Sequence, residues 1–270
     1  YAEIVKLAGG IPVVLPTSID EDYKISPIDL EAAINSKTRM VIYSSPCNPS
    51  GSVYTMAETE AIAEVLMRHD NIITISDEIY ELINFTSKHT SLAGVPGMME
   101  RVVTVNGVSK GFAMTGWRLG YIGAPKWIAD ACNKIQGQFT SAPCSIAQAA
   151  AAAAVEADPS ISNHMLEAFL RRRDLMLDEL NKVPGIKLNK PMGAFYLFPD
   201  VSDLFGKSCE GRTINNADDV AMYLMEEAHV ATVSGSAFGT PECIRLSYAA
   251  ADDVLVEAAR RINNAVSKLS

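Results

Sequence analysis

Residues 102–123 read VVTVNGVSKGFAMTGWRLGYIG, which is a strand pattern, a glycine-bearing turn and a second short strand pattern. The β-rich run at 102–106 leads to Lys110, which lies between apolar runs with glycines close by. Burial of this amine is therefore expected, and desolvation favours the neutral, nucleophilic form of an amine. Arg118, flanked by tryptophan and leucine, follows in the same segment. The stretch predicts a reactive lysine at the end of a buried strand.

Apolar, β-rich runs upstream predict two more buried strands, at residues 39–44 (RMVIYS) and 71–76 (NIITIS), and a short strand at 11–15. A Ser-Pro start and a Thr-x-x-Glu capping box predict helices at 26–35 and 55–69 between them. Strands and helices thus alternate along the chain. This alternation indicates an α/β fold with a mostly parallel sheet flanked by helices.

Polar side chains follow three of the predicted strands. Asn48, Asp77 and Lys110 each come just past the end of one strand. In parallel α/β sheets, ligands bind outside the carboxyl ends of the strands. The sequence therefore predicts a ligand site that gathers these three side chains.

The second half of the chain has a different pattern of predicted helices and strands. Helical patterns are predicted at 126–137, 145–156 and 161–183, and shorter strand and helix patterns alternate after them, at 186–188, 194–198, 217–227, 230–233, 244–247 and 252–269. We interpret residues 1–160 as a large α/β domain and residues 161–270 as a smaller α+β domain. The arginine triplet at 171–173 lies in a helical pattern and predicts a solvated helix face.

Composition narrows the class of protein. The 270 residues are 48% hydrophobic and 20% charged with a net charge of −9, and dispersed lysines and arginines argue against nucleic-acid or membrane partners. No apolar run approaches the ~18–20 residues of a membrane span. Five scattered cysteines without a C-x-x-C pair indicate a reducing, cytoplasmic setting. Four histidines without metal-ligand spacing predict no metal site.

Four motifs resemble those of the fold-type I, pyridoxal-phosphate-dependent aminotransferases of class I and II, the aspartate aminotransferase-like group. They are the lysine-site pattern GVSKGFAMTGWRLG (107–120), the asparagine-proline-glycine motif SPCNPSG (45–51), the Asp-x-x-Tyr motif SDEIYE (76–81) and the C-terminal arginine motif IRLSYA (244–249). Their order and spacing agree as well. The resemblance implies the fold-type I large domain and pyridoxal 5'-phosphate as cofactor.

The resemblance also implies roles for the residues in these motifs. Lys110 would form the internal aldimine and later move a proton between the substrate Cα and the cofactor C4′. Asp77 would pair with the protonated pyridine nitrogen, so that the ring can accept electrons. Tyr80 would donate a hydrogen bond to the cofactor's phenolic oxygen. Asn48 would share that oxygen and reach toward the substrate carboxylate.

Anion-binding roles follow for two arginines. Arg118 would hold the cofactor phosphate, which a guanidinium can bind through two hydrogen bonds, and Ser109 would be a second phosphate donor. Arg245 lies in a strand-like run, where a buried arginine needs an anion, and the resemblance supplies the substrate α-carboxylate. Residues 193–196 and 234–239 resemble segments at the substrate mouth, and no role is assigned to them.

Each of these residues, taken singly, also has a plainer structural interpretation. Lys110 could be a solvated turn lysine, Asp77 a cap, Tyr80 a core aromatic, Asn48 a turn residue and Arg245 the partner of an acid such as Glu242. The combined motifs favour the functional interpretation of the set.

The first residue of this sequence corresponds to a position well inside the family's sequence pattern, not to its beginning. The family's phosphate-cradling turn, its ring stacked on the cofactor, its cross-dimer tyrosine and its N-terminal arm would all precede Tyr1. We therefore expect a homodimer-forming member whose N-terminal part is missing here. These residues alone are expected to bind the cofactor poorly and to show little turnover.

The predicted function is transfer of an α-amino group between an amino acid and a 2-oxo acid, with aspartate as donor and 2-oxoglutarate as acceptor. Two alternatives stay open. One is a lyase that uses the same cofactor and releases ammonia, and the other is a non-catalytic, cofactor-sensing domain of a regulator. A side-chain carboxylate would need a second cation, which the sequence does not place.

Overall fold

The computed structural model describes residues 1–86 and 88–270. Contacts divide the chain into two compact units. The first unit comprises residues 1–15, 24–46 and 53–163, and the second comprises residues 16–23, 47–52 and 164–270.

The first unit is built on a sheet with the strand order β1-β2-β3-β4. Its strands are β1 (Met40–Ser44), β2 (Ile73–Asp77), β3 (Val102–Gly107) and β4 (Gly120–Gly123). β1, β2 and β3 pair in parallel, whereas β4 is antiparallel to β3. The predicted α/β fold with a mostly parallel sheet is confirmed.

All helices of the first unit except the first begin within one residue of a helix start predicted from the sequence. They are α1 (Ala2–Leu7), α2 (Pro27–Ala33), α3 (Met56–Met67), α4 (Lys126–Phe139) and α5 (Ser145–Glu156). The Ser26 hydroxyl accepts from the Asp29 N–H at the start of α2, and Thr55 and Glu58 form both bonds of a capping box at the start of α3. The strand predicted at 11–15 is wrong, because these residues form no strand in the structure and expose Ile11, Val13 and Val14.

Packing of α3 against the sheet forms the core of the first unit. Its buried members come from α3, from the segment before β3 and from the strands, and they include Ile62, Leu66, Leu92, Met98 and Val102. Burial of a large aliphatic side chain stabilises the folded state by about 1.5–3 kcal/mol. The strands are therefore held with their carboxyl ends side by side, as Ser44, Asp77 and Val105 show by their register.

The second unit combines helices with short antiparallel pairs of strands. In chain order its elements are α6 (Asn163–Leu180), β5 (Tyr196–Leu197), β6 (Ser208–Cys209), β7 (Arg212–Thr213), α7 (Ala217–Tyr223), β8 (Val233–Ser234), β9 (Ile244–Ser247) and α8 (Asp252–Val266). β9 pairs with both β5 and β8. The strand predicted at 244–247 is confirmed, whereas residues 186–188 contribute a bridge from Lys187 to Asp200 rather than a strand.

The arginine triplet of α6 differs from its prediction. Arg171 and Arg172 donate to the carboxylate of Asp252 at the start of α8, with Nε–O distances of 2.9 and 3.0 Å. Arg173 is only 4% exposed and donates to the Pro191 carbonyl and to Asp174. The predicted solvated face is therefore wrong for Arg173, whose guanidinium finds its acceptors inside the unit.

Replacing Asp252 with asparagine is expected to destabilise the protein in a pH-dependent way. Hydrogen bonds from Arg171 and Arg172 lower the pKa of Asp252 from 3.8 to about 2. Because the folded pKa is the lower one, the carboxylate stabilises the fold above pH 3.8 and this contribution is lost as the pH falls toward 2. Thermal unfolding at several pH values should show a deficit for Asp252→Asn at neutral pH that vanishes near pH 2.

Asp253→Asn is the matched control for this experiment. Asp253 lies in the same first turn of α8 and makes no ion pair among the residues that the structure describes. A deficit of equal size and equal pH dependence in both variants would contradict the role of the arginine pairs.

Gly51 holds a close backbone contact inside the second unit. Its φ is +69°, and a Cβ at this position would lie 2.4 Å from the Pro191 Cβ and 2.8 Å from the Gly193 carbonyl oxygen. Its own carbonyl accepts hydrogen bonds from the N–H groups of Met192 and Gly193, at 2.8 and 2.9 Å. Only glycine satisfies both the left-handed backbone and the lack of space.

Gly51→Ala is expected to lower the free energy of unfolding by roughly 2–5 kcal/mol, because backbone strain and overpacking add. Gly211→Ala is the control, since Gly211 has a φ of +84° and a Cβ added there would meet no atom within 4 Å, so this variant carries the strain alone. Its expected cost is about 1–2 kcal/mol. Urea unfolding measures both, and equal losses would show that the contact with Pro191 is unimportant.

Among the helices in the described part of the chain, none is long and apolar enough to cross a membrane.

Candidate active site

A pocket of about 410 Å³ lies in the first unit, where β2 and β3 end and β4 begins. Its lining includes an amine, a guanidinium and two hydroxyls, from the residues Ile79, Ser109, Lys110, Thr115, Arg118, Leu119 and Gly120. No carboxylate is among these described lining residues. The pocket is therefore suited to an anion that also offers a group for an amine to attack.

Lys110 is half-buried in this pocket. Its Nζ lies 5.9 Å from the centroid of the Tyr80 ring, which is buried. The loop around Lys110 packs tightly, since a Cβ on Gly111 would lie 2.7 Å from the Leu82 Cδ1. Lys110 thus reaches the pocket from a firmly packed turn, with one aromatic ring beside its amine.

Arg118 reaches the same pocket from an unusual backbone position. Its φ of 49° and ψ of 50° place it in the left-handed region after the short 3₁₀ turn Thr115–Trp117. One Nη1 hydrogen bond goes to the Thr115 carbonyl at 2.9 Å. Within the described residues, no carboxylate pairs with this exposed guanidinium, so its other N–H groups can bind an anion.

Asp77 is the last residue of β2 and is half-buried. Its Oδ1 accepts from the Ile79 N–H at 3.2 Å, and its Oδ2 accepts from the Tyr1 hydroxyl at 2.7 Å. A carboxylate has about four acceptor positions. Asp77 therefore keeps capacity to accept from a further cationic donor.

The next residue, Glu78, points into a separate buried network. Its Oε1 accepts from the Ser76 and Ser91 hydroxyls at 2.9 and 2.8 Å, and its Oε2 lies 2.8 Å from the His89 Nε2. Glu81 completes a group of possible metal ligands with Glu78 and His89. Burial raises the pKa of Glu81. Both oxygens of Glu78 already have protein donors, so we interpret this group as a structural network that anchors the turn after β2.

Arg245 and Asn48 meet in the second unit. The Arg245 Nη1 donates to the Asn48 Oδ1 at 2.9 Å, and the Arg245 Cζ lies 4.5 Å from the Tyr196 ring centroid and 5.0 Å from that of Phe238. No acid pairs with Arg245 among the described side chains, so the structure does not form the alternative ion pair with Glu242. The guanidinium is thus held by neutral groups and keeps donors for an anion.

Most of the predicted site residues fall into two groups, one in each unit, whereas Asp77 is not among the residues that line the pocket. Lys110, Ser109 and Arg118 line the pocket of the first unit, with Tyr80 beside the lysine. Four further lining residues were not predicted from the sequence, although all of them except Ile79 belong to the lysine motif: Ile79, Thr115, Leu119 and Gly120. The rings that surround Arg245 were not predicted either, because the sequence carried no signal for them beyond their place in unassigned segments.

Comparison with known proteins identifies the family. The family model "Aminotransferase class I and II" matches residues 1–262. The chain belongs to this family. As a class I and II aminotransferase family member, it is 48% identical over 271 aligned positions to a bifunctional aspartate aminotransferase and glutamate/aspartate-prephenate aminotransferase from Petunia hybrida. That alignment covers 98% of this chain and 57% of the petunia protein, which is less than two thirds of its length.

Two further family members are similar along the chain. An aspartate/prephenate aminotransferase from Cereibacter sphaeroides is 44% identical, with 100% of this chain and 68% of that protein covered. The crystal structure of an aspartate aminotransferase from Rhizobium meliloti superimposes with a TM-score of 0.96 at 40% identity, covering 100% of this chain and 68% of that one. These similarities confirm the predicted family and the fold-type I architecture.

Proposed function

We propose that the protein is a pyridoxal-phosphate-dependent aminotransferase that moves an α-amino group between an amino acid and a 2-oxo acid. The observation that carries this proposal is the pocket that contains Lys110 and Arg118 without an acid in its described lining. A lysine amine and a guanidinium, set apart from carboxylates, are what a cofactor with an aldehyde and a phosphate requires.

The residues of the first unit fit pyridoxal 5'-phosphate. The Arg118 guanidinium and the Ser109 hydroxyl supply donors for the phosphate, and the Lys110 amine supplies the group that holds the aldehyde carbon. The carboxylate of Asp77 has capacity for a protonated ring nitrogen. When bound, this cofactor acts as an electron sink for the bond broken at the substrate α-carbon.

The chain's own residues then carry out binding and proton transfer. With the cofactor bound, the Lys110 amine would accept a proton from the substrate Cα and donate it on the cofactor side. Asp77 would keep the ring nitrogen protonated. Tyr80, whose ring adjoins Lys110, would donate a hydrogen bond to the cofactor's phenolic oxygen.

The second unit supplies the groups for the substrate carboxylate. Arg245 binds the α-carboxylate through its free N–H donors, and the Nδ2 of Asn48 donates to the substrate or to the phenolic oxygen. The support for this proposal is that the Asn48 Oδ1 already accepts a hydrogen bond from Arg245. The amide nitrogen of Asn48 is therefore the group that can donate to a ligand.

Substrate choice follows from the named relatives. Aspartate is the proposed donor, because the petunia, Cereibacter and Rhizobium proteins all carry aspartate in their names. 2-Oxoglutarate is the proposed acceptor. Prephenate, which also carries a 2-oxo acid group, is a second acceptor suggested by the names of the petunia and Cereibacter relatives.

Other parts of the proposal concern assembly and setting. We propose a homodimer without nucleic-acid or membrane partners, in a reducing cytoplasmic compartment, which the five free cysteines support. We also propose that the first unit corresponds to the predicted large domain and the second to the predicted small domain. The family match does not favour the lyase or the cofactor-sensing regulator.

Borohydride labelling tests the function directly. The purified protein is mixed with pyridoxal 5'-phosphate, reduced and digested, and the modified peptide is identified by mass spectrometry. Modification at Lys110, with amino transfer from aspartate to 2-oxoglutarate or prephenate in a substrate panel, is the expected result. Labelling spread over exposed lysines such as Lys126, or release of ammonia instead of amino transfer, would refute it.

A further inference from the structure

Two aromatic rings lie beside Arg245, in positions where a partly buried arginine commonly has a carboxylate partner. Its Cζ lies over two rings, 4.5 Å from the Tyr196 centroid and 5.0 Å from the Phe238 centroid. Guanidinium groups stack on aromatic faces, and such a contact is strongest where water is excluded. In addition, the guanidinium donates the hydrogen bond to Asn48 described above.

Both rings also pack on other aromatic side chains of the second unit. Tyr196 is 7% exposed and packs on the Phe195 ring at 4.7 Å. Phe238 meets the fully buried Phe198 edge-on, at 5.8 Å and 85°. The Tyr23 hydroxyl in turn donates to the Phe198 carbonyl at 2.9 Å. The positions of the rings are therefore set by the core of the second unit.

The backbone around Phe238 is equally constrained. Phe238 ends the short 3₁₀ turn Gly235–Phe238, which Gly239 closes with a φ of +83°. A Cβ on Gly235 would lie 2.0 Å from the Thr240 carbonyl oxygen, so this turn is packed directly on the chain that follows it. The tightly packed turn thus places the ring of Phe238 beside Arg245.

We propose that Phe238 and Tyr196 are positioning residues, whose ring faces hold the guanidinium plane of Arg245 so that it receives a carboxylate edge-on. This inference rests on the proposed function, in which Arg245 binds the substrate α-carboxylate. The guanidinium carbon lies over both rings, and the one hydrogen bond to Asn48 leaves further N–H donors of Arg245 for a carboxylate. An arginine that is already oriented loses less conformational entropy on binding, which lowers the dissociation constant without new contacts.

The experiment measures carboxylate binding and ring contact separately. Succinate is titrated calorimetrically into the protein loaded with pyridoxal 5'-phosphate, and the side-chain NMR signals of Arg245 are recorded in the cofactor-free protein. Phe238→Leu keeps the apolar volume but removes the ring, Phe238→Tyr keeps the ring, and Tyr196→Leu removes the other ring. Phe205→Leu is the matched control, a half-buried phenylalanine of the same unit without a ring or cation contact among the described residues.

We expect Phe238→Leu and Tyr196→Leu each to raise the succinate dissociation constant about 2- to 5-fold, the range that a cation–π contact at a partly exposed site supports. Phe238→Tyr should restore binding to within about 2-fold, since the ring face is retained. The ring-current shift of the Arg245 signals should be reduced in both leucine variants and retained in Phe238→Tyr. Thermal unfolding of each variant confirms that it is folded.

The possible failures differ in what they overturn. Succinate binding that depends on Arg245 but is unchanged in both leucine variants overturns the positioning role and leaves the proposed function intact. An equal loss of affinity in Phe205→Leu also overturns it, because the effect is then a general one. Absence of succinate binding to the unmodified protein, or binding that is indifferent to Arg245→Ala, overturns both the inference and the proposed carboxylate site.

Discussion

Lys110→Ala is expected to reduce amino transfer on the order of 10⁴-fold, the upper range for loss of a positioned proton-transfer group. The lysine is proposed to hold the cofactor and to move the proton at the substrate Cα, so its removal eliminates both roles. Stopped-flow measurement of a single half-reaction checks the chemical step itself.

Two variants make this result specific. Lys126→Ala removes an exposed lysine that pairs with Asp130 at 2.7 Å, and it should leave the rate unchanged. Lys110→Arg keeps the positive charge but offers no amine that can be deprotonated in this pH range, so it should be as inactive as Lys110→Ala. A Lys110→Arg protein with near-normal rates would mean that Lys110 acts only as a charge.

Arg245→Ala is expected to lower kcat/KM for amino-acid donors by roughly 10²- to 10³-fold, as truncation of one partner in a hydrogen-bonded charge pair does. The loss should appear mainly in KM, because the carboxylate is bound in the ground state as well as in the transition state. Steady-state kinetics with a series of donors at saturating acceptor gives the separate constants.

Arg212→Ala is the matched control for Arg245→Ala. Arg212 also lies near an aromatic ring, 5.9 Å from the Tyr223 centroid, but it pairs with Glu226 and so has its anion within the unit. Its removal should leave KM unchanged. Arg245→Lys should recover only part of the affinity, because an ammonium cannot present the planar fork. Full recovery with lysine would show that Arg245 contributes charge and no geometry.

The fold could be predicted largely from local signals. The caps at Ser26 and Thr55 are satisfied within a few residues of chain, so a short motif determines where α2 and α3 begin. The strands at 39–44 and 71–76 were visible in their apolar, β-rich composition and form β1 and β2, although β1 is only half-buried and Met40 is exposed. The strand expected at 11–15 failed, since β-rich composition cannot supply the neighbour that a strand needs.

The candidate site could be predicted where one motif contained it. Lys110, Ser109 and Arg118 lie within ten consecutive positions of one glycine-bearing motif and line one pocket. The partners of Arg245 could not be predicted in this way. Tyr196 and Phe238 are separated from it in the chain and from each other, and their contact depends on the pairing of β5 with β9 and on the turn Gly235–Phe238.

By itself, the sequence determined the family, the alternation of strands and helices, and the motif around Lys110, because each of these is written in consecutive residues. Only the tertiary structure decided that residues 16–23 and 47–52 join the second unit, that Arg173 is buried, and that neutral rings surround Arg245. These outcomes depend on which segments, distant in the sequence, pack together and form hydrogen bonds with one another in the folded chain. Such competition is settled by packing across the whole unit and leaves no pattern in neighbouring residues.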